Sequence, residues 1–354
     1  MLFYIALTIT IYLLSRRAEK KNDKKYVFFS LLILILVFSL RGRTVGTDLE
    51  NVLTLYEKEN FRWTEWGYGF LGKTIRLTGS NTLFLFALSM IIYCPLFLGL
   101  WENRDSGSYA VSVLVFMLLF YNSTLNIMRQ WVAVSIVFFG LRYLKSGSYL
   151  KYLVINTLAV LFHTSAIIGL GYLVFDLILS KRLRLKKTLL AAAFVMVLMV
   201  GLMRYFGDFF NDYLIDRTEL YLSEAKGSVG LFNIAMLLII TVVCCVFWHP
   251  QFFSQNSELK DQRFLFAFVC TLCGYLLIWL GYFYPNMERI SYYYYVYQVV
   301  LIGNLFKRIR LSRQPVLTKR LCQTVVFLPL VYYYVSGLLG NANGIIPYTV
   351  FWIS

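Results

Sequence analysis

The chain has 354 residues, of which 59% are hydrophobic and only 15% charged, with a mean hydropathy of +0.65. A soluble globular chain carries about 25% charged residues, so this one lacks the polar surface to remain in water. It reads as an integral membrane protein, which excludes a soluble enzyme, a nucleic-acid-binding domain and a secreted disulfide scaffold. The formal charge of +16 is then a statement about sidedness, because membrane chains gather Lys and Arg in their cytoplasmic loops.

A membrane helix needs about 20 apolar residues, within a range of about 17–25. In chain order, suitable runs fall at 1–15, 26–40, 81–100, 109–121, 128–144, 150–162, 164–179, 188–203, 230–248, 264–283, 291–306 and 321–337. The first is followed, not preceded, by its basic cluster, the reverse of a cleavable signal peptide, and reads as a retained helix entering from outside. The stretch 150–179 is too long for one ordinary span, and His163 near its middle predicts two short helices meeting there.

The charges test this arrangement. With twelve alternating spans, the cytoplasmic loops and helix ends hold 23 Lys and Arg against 7 acidic residues, and the outer segments hold 11 against 11. The whole net charge falls on one side. The expectation is one all-α polytopic membrane domain over residues 1–354, N-out and C-out, with extracytoplasmic segments 41–80 and 204–229. Within the first of these, Leu71–Leu77 is an apolar-basic stretch suited to an interfacial helix. The six cysteines lie in apolar runs. Cys270 and Cys273 have redox or metal spacing, but no second pair or nearby His accompanies them, so they read as packing residues and no metal is expected. The cytoplasmic loops are short and carry no nucleotide-binding motif, which argues against an ATP-driven pump and against a transferase using a metal-bound nucleotide sugar.

Polar residues that could carry chemistry sit at the predicted outer boundary. After the second run comes Arg41-Gly42-Arg43-Thr44-Val45-Gly46-Thr47-Asp48. Its glycines let backbone N–H groups approach an anion, and its guanidiniums match phosphate oxygens bidentately. The alternative is a capping turn with snorkelling arginines. Arg129 and Gln130 open the fifth run without a long loop to account for them, and charges placed in a membrane are costly and functional by default. His163 lies in Phe162-His163-Thr164-Ser165, whereas His249 at a cytoplasmic end reads as structural. Glu288 and Arg289 precede a run of tyrosines that includes Tyr292 and Tyr293, suited either to sugars or to an interface belt. A mixed-charge outer loop, 208–226 with Arg217, reads equally as a substrate lid or a solvated face.

The motifs R-G-x-x-V-G-T-D at Arg41–Asp48, E-x-G-[YF] at Glu65–Tyr68, M-R-Q at Met128–Gln130, F-H-[TS]-[SA] at Phe162–Ser165 and R-I-x-Y-Y at Arg289–Tyr293 occur in one order along the chain. Together they resemble the EpsG family of Wzy-like polysaccharide polymerases, over about residues 40–300 and weakly to Ile346–Phe351. The resemblance implies a bacterial inner-membrane glycosyltransferase akin to those using lipid-phosphate sugars (GT-C-like). Such an enzyme joins oligosaccharide repeat units carried on undecaprenyl pyrophosphate at the periplasmic or outer face, as in O-antigen, capsule or exopolysaccharide synthesis. It needs no cofactor and no obligatory metal. Its partners would be the lipid-linked oligosaccharide, membrane lipid, and a chain-length regulator and a flippase, with no nucleic acid.

On this reading Arg129 and Arg289, then Arg41 and Arg43, bind pyrophosphate. Asp48, Glu65 and His163 are the candidates for the base. Gly46, Thr47, Gln130, Arg217, Glu288, Tyr292 and Tyr293 contact substrate. The rival classes are a flippase for lipid-linked oligosaccharides, which needs charges deep in a central cavity, and a polysaccharide ligase or membrane acyltransferase.

Overall fold

The computed structural model describes residues 1–62, 64–180, 229–247, 257–281 and 286–351. Every regular element among them is helical. In chain order these are α1 Leu2–Lys21, α2 Lys25–Ser39, α3 Leu49–Glu57, α4 Trp66–Arg76, α5 Asn81–Glu102, α6 Tyr109–Leu119, α7 Tyr121–Thr124, α8 Met128–Lys145, α9 Tyr149–Val160, a 3₁₀ turn Thr164–Gly169, α10 Leu170–Ser180, α11 Val229–Phe247, α12 Ser257–Leu280, α13 Asn286–Tyr295, α14 Gln298–Leu311 and α15 Val316–Leu339. The chain divides into two compact units, Met1–Ile167 with Val299–Ser354, and Ile168–Gln298.

In the first unit α5 packs against α2 and α8, α8 against α9, and α1 against α2 and α6. Helices α2, α5 and α6 are apolar over nearly their whole surface, as buried or lipid-facing helices are. Close approach is set by small residues: a β-carbon at Gly99 would lie 3.0 Å from the Phe138 ring, and one at Gly140 would lie 2.9 Å from Ile155. Serine caps open two of these helices, with Ser80 accepting from the Leu83 N–H and Ser108 from the Val111 N–H. The Glu19 carboxylate also accepts from the Ser108 hydroxyl and the Ala110 N–H, both at 2.8 Å, so a side chain of α1 satisfies donors at the start of α6.

In the second unit α12 packs against α10, α11 and α13. The run expected as one helix over 291–306 is broken at Val296-Tyr297 between α13 and α14. The Tyr297 N–H bonds to the Tyr294 carbonyl three residues back, which tightens the last turn, as helix ends commonly do. Beside the break, α12 presents Gly274, where a β-carbon would lie 2.5 Å from the Tyr295 nitrogen.

Asn81–Glu102, Arg263–Leu280 and Val316–Leu339 are long and apolar enough to cross a membrane, and further apolar helices of 10–17 residues accompany them. On α15 only 22% of the apolar window is buried, and Leu317, Leu328, Tyr332 and Leu339 are each about two-thirds exposed or more. Such a surface has no place in water and is accommodated by lipid. The two short helices expected around His163 are present, α9 ending at Val160 and the 3₁₀ turn beginning at Thr164. The interfacial stretch expected at Leu71–Leu77 belongs to a longer helix, α4. The run 188–203, the loop 208–226 and Arg217 lie outside the described residues.

Candidate active site

Two polar clusters of the first unit are held on either side of one loop, the turn from α7 into α8. The first is built on the segment between α2 and α3. Helix α2 ends at Leu40, and the chain turns through Gly46, whose φ of +106° is a conformation that only glycine adopts readily. A β-carbon there would also lie 2.7 Å from Asn126 Oδ1. The turn is fastened to the C-terminal segment. The Gly42 N–H donates to the Thr349 carbonyl at 2.8 Å, the Phe351 N–H to Leu40 at 3.0 Å and the Gly46 N–H to Gly344 at 2.9 Å. Arg41 and Val350 form an antiparallel bridge. Asn126 Nδ2 reaches the Asn343 carbonyl at 2.9 Å.

This turn separates two arginines that the sequence placed together. Arg41 is 1% exposed. Its Nη2 lies 3.0 Å from Met128 Sδ, its guanidinium lies 4.1 Å from the centre of the Phe38 ring, and its Nε and Nη1 have no hydrogen-bond partner among the described residues. Burial lowers its pKa from 12.5 to about 10, opposed by Tyr93, Tyr121, Tyr4 and Tyr348 around it. Arg43 is part-exposed and pairs with Glu50 at 3.1 Å and with Glu57. Both arginines line a cavity of about 160 Å³, with Ser39, Asn81, Thr82 and Phe351 as further walls. Asp48 stands at the N-cap of α3 without capping it, and accepts from the Thr47 hydroxyl at 3.3 Å.

The second cluster gathers motifs far apart in sequence. Arg129, one residue into α8, pairs with Glu65 at 3.1 Å, and its guanidinium lies 5.6 Å from the Tyr68 ring centre. Glu65 precedes α4 in extended conformation. Two residues on, the Gly67 N–H donates to the Leu161 carbonyl at 2.7 Å, in a contact so close that a β-carbon would lie 2.8 Å from that oxygen. The start of α4 is thereby tied to the turn that carries His163. His163 Nδ1 lies 2.7 Å from Ser165 Oγ, which fixes the ring against its own turn. Glu65, Arg129 and the His163 turn therefore share one neighbourhood, reached from the Arg41 cluster through Asn126 and Met128. Gln130 is buried on α8.

The residues expected on α13 divide. Arg289 is exposed, and Glu288 and Tyr292 are half-buried. Burial raises the Glu288 carboxyl above the ordinary carboxylate range, with Arg289 opposing. Tyr293 does not present itself to a substrate. It is 1% exposed, and its carbonyl accepts from the Tyr172 hydroxyl. Tyr294 donates to the Ile168 carbonyl at 2.8 Å, and Tyr297 is buried as well. The tyrosine run is largely interior packing of the second unit, because amphipathic rings with a satisfied hydroxyl are good core residues.

Sequence reasoning passed over Asn126, Met128 and the strap from Asn343 to Phe351 as neighbours of Arg41. The Asn beside Met-Arg-Gln and the Pro-Tyr-Thr-Val-Phe ending were visible signals, but nothing local linked them to residue 41. Among the described residues no three His, Cys, Asp or Glu side chains gather as a metal set.

The fold and the site together define a helical membrane protein with arginines and carboxylates collected beside short connecting turns. The profile of the EpsG family matches residues 4–350, so the chain belongs to that family, with the polysaccharide-polymerase, glycosyltransferase-like role the family carries. No curated protein and no solved structure matches it.

Proposed function

We propose that this protein polymerises oligosaccharide repeat units carried on undecaprenyl pyrophosphate, at the outer face of the bacterial inner membrane. The observation that carries the reading is the Glu65–Arg129 pair beside the His163 turn, three family motifs drawn together in one place. The donor sugar already holds a good leaving group, so the reaction needs no nucleotide. The bond between the anomeric carbon and the pyrophosphate oxygen breaks, and the electron pair leaves on the lipid pyrophosphate. The acceptor hydroxyl of the incoming unit forms the new glycosidic bond and gives its proton to a base.

Arg129 would neutralise the departing pyrophosphate, exchanging Glu65 for phosphate oxygens as substrate enters. A donor of this kind is worth about 10²–10³ in rate. Arg289 offers a second, exposed guanidinium. The base is one of Asp48, Glu65 and His163, a role typically worth about 10²–10⁴. Thr47, Glu288 and Tyr292 remain candidates for contact with the sugar head, whereas Gly46 and Gln130, like Tyr293, are buried. The test is purified protein in detergent given only the lipid-pyrophosphate repeat unit. A ladder of longer products is expected. Unchanged substrate together with scrambling of that substrate across liposomes would mean a flippase instead.

A further inference from the structure

Helix α9 ends at Val160, and three residues later the chain enters the 3₁₀ turn Thr164–Gly169. The Phe162 and His163 N–H groups both donate to the Ala159 carbonyl at 3.0 Å, and the Ala166 N–H donates to the His163 carbonyl at 3.0 Å. The backbone is therefore fixed on each side of His163, and the last carbonyls of α9 are satisfied. Ala166 is fully buried. The Leu161 carbonyl accepts from the Gly67 N–H at 2.7 Å, which ties this turn to the start of α4, two residues from Glu65. So tight a turn brings Ser165 back onto the ring of His163. Its hydroxyl lies 2.7 Å from Nδ1, and its backbone N–H donates to the same nitrogen at 3.4 Å.

A neutral imidazole carries its hydrogen on one nitrogen and accepts at the other, and the partners of the ring assign which is which. A backbone N–H can only donate, so it calls for a bare Nδ1. The hydroxyl, free to turn about its bond, then donates to the same lone pair. A hydrogen on Nδ1 would instead meet the Ser165 N–H, donor against donor. The ring hydrogen therefore belongs on Nε2. In that form Nε2 has no lone pair with which to take a proton, and the lone pair of Nδ1 is held by Ser165. What the ring offers is an N–H donor. An ionised carboxylate offers the opposite, acceptor oxygens only.

We propose that Ser165 is a positioning residue that fixes His163 as the Nε2–H tautomer, and that His163 serves the reaction as a hydrogen-bond donor to a substrate oxygen, leaving Glu65 or Asp48 as the base. The tautomer rests on the turn alone; the donor role rests on the polymerase reading. The proton of the acceptor hydroxyl passes to the carboxylate as that oxygen bonds to the anomeric carbon. The electron pair of the broken bond leaves on the lipid pyrophosphate. Nε2–H shares its hydrogen throughout and transfers nothing.

The tautomer is read by NMR of the full chain in detergent with isotope-labelled histidine, since protonated and bare ring nitrogens resonate far apart. The spectrum is taken at about pH 8.5, above the ordinary imidazole pKa of about 6.5. The chain has two histidines, so a His249→Asn background leaves one ring to observe. The hydrogen is expected on Nε2 in that background and in Ser165→Thr, which keeps the hydroxyl. In Ser165→Ala, where only the longer backbone contact remains, the Nδ1–H form is expected to appear beside it. The donor role is read as ladder formation at matched membrane abundance. The amide of His163→Gln carries an N–H but cannot act as a base. His163→Gln is expected to stay within about tenfold of the parent, and His163→Ala to fall by about 10²-fold or more. Loss of a base would lower both alike, by about 10²–10⁴.

A hydrogen on Nδ1 in the His249→Asn background overturns the tautomer and the donor with it. An unchanged spectrum in Ser165→Ala overturns the part given to Ser165. The donor role is overturned if His163→Gln is as slow as His163→Ala, which returns His163 to the candidates for the base, or if His163→Ala polymerises like the parent. Should His163→Ala fail to fold, the ring spectrum and the rate of His163→Gln still decide. A parent that makes no ladder loses the polymerase reading and the donor role together, while the spectrum decides the tautomer by itself.

Discussion

Arg129 meets the Glu65 carboxylate at 3.1 Å, and its side chain keeps 32% of its exposure; Arg41 keeps almost none and, among the described residues, meets no carboxylate. The two therefore answer substitution differently. At Arg129 a lysine keeps the charge but loses the planar fork. Arg129→Lys is expected to slow polymerisation by about 10²-fold or more at matched membrane abundance, measured as ladder formation, and Arg129→Ala to abolish it. A lysine variant that polymerises like the parent would mean an arginine that only snorkels. At Arg41 the issue is the cost of the charge. Burial holds its pKa near 10 against 12.5 when exposed, a penalty on the charged form of roughly 3 kcal/mol. A base whose folded pKa is lowered destabilises the fold below that pKa, and the penalty is relieved as pH rises through about 10. Arg41→Met is expected to melt above the parent at pH 8, with the gap narrowing above pH 10. A thermal series in detergent checks this, and a variant that melts below the parent at pH 8 contradicts it.

At the scale of elements, the turn between α2 and α3 depends on Gly46 in two ways, a φ of +106° and a neighbour 2.7 Å from any added β-carbon. Gly79 has φ +69° and open space around it. Strain of the backbone alone costs about 1–3 kcal/mol, so Gly79→Ala incurs only that, and Gly46→Ala adds displacement of Asn126. The thermal midpoint of Gly46→Ala is expected to fall further than that of Gly79→Ala by several degrees. Equal midpoints would mean that the Gly46–Asn126 contact relaxes freely. The helices were legible because apolar runs and their lengths carry the signal directly. So was the division at His163, where a polar residue interrupts an overlong run. The break at Val296-Tyr297 was not legible. It lies where α12 brings Gly274 against the Tyr295 backbone, a contact between segments distant in sequence. The same holds for the candidate site. The motifs pointed to Arg41, Glu65, Arg129 and the His163 turn one by one. Pairing Glu65 with Arg129, stacking Arg41 on Phe38 and strapping both flanks of Arg41 with residues 343–351 are products of tertiary packing.

For the whole molecule, the family match and the apolar helices agree on a membrane protein, and the sidedness of its charge is the guide to how the helices are ordered across the bilayer. Several helices are shorter than a bilayer is thick. Helix α2, at 15 residues, is about 22 Å long against a hydrocarbon thickness of about 30 Å. Tilt offers no remedy for a short helix, so local thinning or flanking residues must make up the difference. Both polar clusters of the first unit lie on connections that the twelve-span arrangement puts outside, so their function stands or falls with orientation. The structure also identifies sound reporter positions. Ser108, on a connection expected to face the cytoplasm, is occupied as a helix cap and by Glu19, whereas Asp105 in the same connection is exposed, as is Lys73 on α4. In a chain whose native cysteines are alanine, Lys73→Cys should react with an impermeant thiol reagent applied from outside. Asp105→Cys should react only after the membrane is opened. The reverse pattern would move Arg41, Glu65 and Arg129 to the cytoplasmic face and put the 23 Lys and Arg of the basic loops outside, against the preference that gathers such residues in the cytoplasm, and an outer-face polymerase would be ruled out.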